Sequence, residues 1–112
     1  MSNQLSRIEL ELLALLSEEL GEVQQIIGKI LRHGLESRNP LIDGAETNRQ
    51  LLEREIGDVG AAVELLMAQQ VVDEYRVDGS VLNKLAKVHR WLHHLDEAHP
   101  DVRELIHQAG GQ

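Results

Sequence analysis

Apolar residues recur at helical spacing along most of the chain. In the first segment, Gln4 to His33, they fall at Ile8, Leu12, Leu15, Leu16, Val23, Ile26, Ile27 and Ile30, intervals dominated by threes and fours. Gly34 is the expected stop. From Leu35 to Glu46, Pro40 and Gly44 among polar residues predict a loop with room for one short helical turn. Thr47 is a suitable N-cap for a second helix, which runs to about Val72 through Leu51, Leu52, Val59, Ala62, Val63 and Leu66. Asp78-Gly79-Ser80 is expected to break the chain. A third helix then carries Val81, Leu82, Leu85, Val88, Leu92 and Leu95. Pro100 is tolerated in a first turn, so a short fourth helix covers Pro100 to about Ala109, with Gly110-Gly111-Gln112 as a frayed tail. The expected fold is all-α. It is a helical bundle of three main helices plus a short C-terminal helix, one domain over residues 1–112.

Two polar interruptions of these stripes change the picture. With about 100° between successive helical residues, Glu22 lies roughly 60° from Glu19, and both fall among Ile8, Leu12, Leu15, Val23, Ile26 and Ile30. The second helix repeats the arrangement, with Glu55 and Asp58 among Leu51, Val59, Ala62 and Leu66. Each long helix therefore sets an i,i+3 acidic pair where a core residue belongs. A buried carboxylate without a partner is costly, so such groups are protonated, paired with bases or bound to a cation. Antiparallel packing of the two helices would bring the pairs together as an oxygen-rich cage suited to hard divalent ions. The alternative is that the pairs sit solvated at the rim of the bundle.

Composition narrows the function classes. The 112 residues hold 19 acids against 11 Lys and Arg, a formal charge of −8, which disfavours binding to a nucleic-acid polymer. One Trp, one Tyr and no Phe leave no stacking platform, and the absence of Cys excludes a thiolate metal site or a cysteine nucleophile. Met1-Ser2-Asn3-Gln4 lacks a signal-peptide layout, and no stretch approaches the ~20 apolar residues of a membrane span. The expectation is a soluble cytoplasmic protein with no membrane partner.

In chain order, Glu18-Glu19-Leu20-Gly21-Glu22 has the form EExxE and Glu55-Ile56-Gly57-Asp58 the form ExxD. On successive helices and in phase with the apolar stripes, the two resemble the signature of the MazG-like all-α nucleoside triphosphate pyrophosphohydrolases, over roughly Leu13 to Leu66. The resemblance implies that Glu19, Glu22, Glu55 and Asp58 hold Mg²⁺, with Mn²⁺ as a substitute. It implies that Glu18, about 100° round the helix from Glu19, serves a second metal or activates water. The implied reaction converts a nucleoside triphosphate to monophosphate and pyrophosphate, in a homo-oligomer (dimer or tetramer) that completes the bundle. No Walker-type glycine loop is present, so phosphate binding would rest on metal and basic side chains.

Lys29 and His33 share a face with Glu22 and are candidates to neutralise phosphate oxygens; otherwise they reach into solvent at the helix end. On the third helix Asn83, Lys87, Arg90 and His94 form a polar stripe, with Lys84 near its boundary. The family resemblance makes Asn83, Lys84 and Lys87 candidates for phosphate or sugar contacts, against a plain solvated face. Trp91 and Tyr75 are expected to be half-buried packing residues, with base stacking the alternative. Two rival metal motifs are weaker. His89 and His93 are spaced i,i+4 without an arranged carboxylate, and Glu104-Leu105-Ile106-His107 is a single ExxH where a di-iron bundle needs two. The rival from another class is a non-enzymatic helical scaffold or regulatory bundle with a solvated acidic face. Setting aside Glu18, Glu19, Glu22, Glu55 and Asp58 leaves 14 acids against 11 bases, so most of the acid excess lies in the proposed cage.

Overall fold

A computed structural model describes residues 4–110. It contains four α-helices, α1 (Arg7–His33), α2 (Asn48–Ala68), α3 (Glu74–Lys87) and α4 (Pro100–Gln108), with short 3₁₀ turns at Val88–Arg90 and Leu95–Glu97. The all-α expectation holds. Met1–Asn3 and the last two residues of the expected tail, Gly111 and Gln112, lie outside the described residues. The chain divides into two compact units, one ending at Val71 and the other beginning at Val72.

The first unit is an antiparallel helical hairpin. Ser6 caps α1, accepting from the Glu9 amide while the Glu9 side chain accepts from the Ser6 amide. Thr47 and Gln50 repeat this reciprocal arrangement at the start of α2. Both capping boxes satisfy amides that no helical carbonyl can reach. Gly34 ends α1 at φ 88°, ψ 168°, a region essentially reserved for glycine, and its amide donates to the Ile30 carbonyl at 2.7 Å. The loop then returns beside itself. The Asn48 amide donates to the Ser37 carbonyl at 2.9 Å, the Arg49 amide to the Leu35 carbonyl at 2.8 Å, and Asn48 Nδ2 to the Gly34 carbonyl at 3.1 Å. Thr47 and Asn48 are correspondingly buried.

Ile26, Ala62 and Leu66 are the buried apolar residues of this hairpin, all drawn from the predicted stripes. Leu12, Leu15, Leu16, Val23 and Ile30 are half-buried, whereas Ile8 and Ile27 are exposed. Leu20, Leu31 and Ile56 are exposed as well.

The second unit departs further from expectation. Asp78-Gly79-Ser80 does not break the chain; it lies inside α3. The helix begins earlier because Asp73 caps it, its side chain accepting from the Arg76 amide at 3.0 Å. A glycine within a helix costs only about 1 kcal/mol, too little to undo a helix already started. The second helix correspondingly ends at Ala68, short of Val72, with Gln70 at φ 64°. α3 stops at Lys87, so Leu92 and Leu95 do not continue its stripe, and Arg90 and His94 do not continue its polar face. His99 caps α4, with Pro100 in the first turn as anticipated, and Ile106 is buried. Among the described residues no helix is long and apolar enough to cross a membrane.

Candidate metal centre

The hairpin register brings the two acidic pairs together. One carboxylate oxygen from each of Glu19, Glu22, Glu55 and Asp58 lies within 4.8 Å of the others. An i,i+3 spacing puts two side chains on one helical face, and antiparallel packing sets the two faces opposite each other. Among the described residues this is the one group of three or more carboxylate or histidine side chains so placed. The cluster is shallower than the stripe predicts. Glu19, Glu22 and Glu55 are half-buried, and Asp58 is exposed, so the cage opens to solvent on the Asp58 side.

Its electrostatics are strained in the way an unneutralised cage must be. Loss of water raises the Glu19 carboxyl above its ordinary value. The charges of Asp58, Glu55 and Glu18 add to this, and hydrogen bonding with Glu22 partly offsets it. Glu55 is also raised, first by a hydrogen bond with Glu22 that only a protonated partner can make. Burial and the charges of Glu22 and Asp58 follow, and Arg54 pulls the other way. Oε2 of Glu19 and Oε2 of Glu55 are both buried without a hydrogen-bond partner among the described residues. Orphaned buried oxygens are uncommon in folded proteins. Two of them beside two further carboxylates form an all-oxygen donor set, which fits a hard cation such as Mg²⁺.

Glu18 is exposed and stands outside the four-carboxylate cluster. It borders an open depression of about 440 Å³ that Glu22 and Gly21 also line, so it flanks the cage. Lys29 and His33, both exposed, line a larger cleft of about 890 Å³ between the end of α1 and the following loop. Arg32 and Arg38 line the same cleft and were not singled out by periodicity, because Arg38 lies on the loop and its approach depends on the chain reversal.

Asn83, Lys84 and Lys87 lie on α3 in the second unit, all exposed, and the Lys84 ammonium sits 4.4 Å from the centroid of the Trp91 ring. Trp91 and Tyr75 are not half-buried: they are 58% and 85% exposed, because α3 and the turn after it leave both rings outside. The histidine pair loses its geometry where α3 ends. His89 is in a 3₁₀ turn, while His93 and His94 are exposed and non-helical. On α4 Glu104 accepts from Gln108 Nε2 at 2.9 Å. Comparison with protein-family models, with curated proteins and with solved structures yields no match.

Proposed function

We propose that the chain is a Mg²⁺-dependent nucleoside triphosphate pyrophosphohydrolase of the MazG-like all-α type. It converts a (d)NTP to the (d)NMP and pyrophosphate, in nucleotide-pool control or sanitation. The observation that carries the proposal is the convergence of Glu19, Glu22, Glu55 and Asp58 from two helices to within 4.8 Å. A scaffold gains nothing from such a cluster, since apolar side chains there would stabilise the hairpin more. A divalent ion held by these groups supplies neutralisation of phosphate oxygens and a lowered pKa for bound water.

The chain's own residues supply the rest. Exposed on the flank of the cage, Glu18 accepts the proton of a water attacking the α-phosphorus, while the bond to the β-phosphate breaks and pyrophosphate leaves. Lys29 and His33 offset charge on the polyphosphate. The roles of Asn83, Lys84 and Lys87 as phosphate or sugar contacts rest on the family resemblance. We place the enzyme in the cytoplasm as a homo-oligomer, a dimer or tetramer. The exposed Leu20, Ile27 and Leu31 support association, because α1 presents them on one side, within roughly 40° of each other.

Glu55→Ala and Asp58→Ala test the assignment. Each is expected to abolish pyrophosphate release from a panel of canonical and modified (d)NTPs while far-UV circular dichroism stays unchanged. Undiminished turnover in both variants refutes it, and orthophosphate as the sole product assigns a different hydrolase class. Millimolar Mg²⁺ is expected to raise the melting temperature of the wild type, since a ligand bound only by the folded state stabilises it.

A further inference from the structure

The cleft between the end of α1 and the following loop carries an unusual charge for this chain. The protein as a whole is strongly acidic, at −8, yet Lys29, Arg32, His33 and Arg38 all line this cleft. The acid on its rim, Glu46, is engaged by Arg54. Lys29, Arg32 and His33 have no ion-pair partner among the described residues, where Arg49 pairs with Glu36 and Arg54 with Glu46. Arg38 is held in place by one bond, Nη1 to the Ala45 carbonyl at 2.7 Å, which leaves most of its five donors free.

A simpler account covers part of this. Basic residues in a last helical turn complement the negative end of the helix dipole, and Arg32 and His33 occupy that turn. The account does not reach Arg38, which belongs to the loop. It also does not explain the cavity itself. At about 890 Å³ the space falls within the usual range for small-molecule sites, and Ile42 and Leu51 give it an apolar wall beside the cations.

We propose that this cleft binds a phosphorylated small molecule without any metal. Its phosphate lies on Lys29, Arg32, His33 and Arg38, and its ring or apolar part against Ile42 and Leu51. The inference extends the phosphate role given above to Lys29 and His33, and it can fail independently of the carboxylate cage. Along α1 the cleft begins about 10 Å beyond Glu22, at Lys29, and continues to His33 at about 16 Å. Lys29 and His33 thus lie on the same face of α1 as Glu22 but beyond its direct reach, so a phosphate held there does not need the carboxylates.

Isothermal titration with AMP, and separately with inorganic phosphate, in excess EDTA tests this. Wild-type protein is expected to bind AMP under these conditions, more tightly than phosphate and less tightly as salt is added. Lys29→Gln/Arg32→Gln removes two exposed cations and is expected to weaken AMP binding by about tenfold or more, with an unchanged circular dichroism spectrum. Glu55→Ala is expected to bind AMP like the wild type, which separates this site from the cage. The proposal is overturned if wild-type protein fails to bind millimolar AMP in EDTA, or if the double variant binds it equally well. Equal affinity for phosphate and AMP overturns the apolar half of the assignment.

Discussion

Asn48 joins the two ends of the helical hairpin, and replacing it by leucine tests whether that junction sets stability. The residue is 8% exposed, and its Nδ2 donates to the carbonyl of Gly34, the residue that ends α1. Leucine keeps the branched outline and heavy-atom count of the side chain and removes the donor, while its methyl groups add bulk at a nearly buried position. A net intramolecular hydrogen bond contributes about 1 kcal/mol, and stranding a partly buried carbonyl adds up to about as much again. The expected loss is therefore about 1–2 kcal/mol, or roughly 4–8 °C per kcal/mol for a unit of this size. The Asn48 and Arg49 amides keep their bonds to Ser37 and Leu35, so the register of α1 against α2, and with it the convergence of the four carboxylates, is expected to survive. Urea denaturation followed by far-UV circular dichroism reads the effect as a lower midpoint at constant slope. Asn39→Ala is the control, because the Asn39 side chain makes only an exposed bond to the Leu41 amide; it is expected to change stability by less than about 0.5 kcal/mol. An Asn48→Leu midpoint equal to or above that of wild type refutes the role given to the Gly34 contact.

Leu66→Ala is expected to cost about 2–5 kcal/mol in the same assay, since Leu66 is 2% exposed; a loss under about 1 kcal/mol contradicts its place in the core. Gly34→Ala is expected to cost about 1–3 kcal/mol from backbone strain alone, because no atom lies within 4 Å of where its Cβ would go; unchanged stability would rule out the positive-φ helix end. The raised Glu19 and Glu55 carboxyls bind protons more tightly folded than unfolded. Their contribution to stability is full below the ordinary value of 4.5 and is lost as pH rises through their raised values. In EDTA the wild-type melting temperature is thus expected to fall more steeply than that of Glu55→Gln as pH increases from that value towards neutrality. Parallel profiles would show that the cage carries no such strain.

The hairpin was legible in the sequence because local chemistry and tertiary packing agree there. Thr47 and Gly34 mark helix ends in sequence and in structure alike, and the structure adds the reciprocal caps of Ser6 with Glu9 and Thr47 with Gln50. The acidic pairs were found through their phase relative to Ile26, Ala62 and Leu66, which are indeed buried. Their depth was overestimated, since periodicity gives a direction around the helix but not how far a neighbour covers it. Asp58 is exposed for that reason. In the second unit the signals conflicted. Asp78-Gly79-Ser80 has the composition of a break, but a single cap at Asp73 suffices to start α3 ahead of it. The end of α3 had no signal at all, because Val88-His89-Arg90 contains no breaker. Arg38 joins the cleft only through the loop fold, which no spacing reveals, whereas Arg32 stands three residues from Lys29 on α1, a spacing the sequence does carry.

The two backbone bonds that close the α1–α2 loop, from the Asn48 amide to Ser37 and from the Arg49 amide to Leu35, lie at its base. Everything between Arg38 and Glu46 hangs beyond them. Lengthening such a loop costs little, about 0.6 kcal/mol for each doubling. Insertions and substitutions at its tip therefore leave the spacing of the four carboxylates untouched while remaking one wall of the cleft. The hairpin thus uncouples the acidic quartet from the cleft: changes confined to the nine residues from Arg38 to Glu46 reshape the cleft without disturbing the four carboxylates.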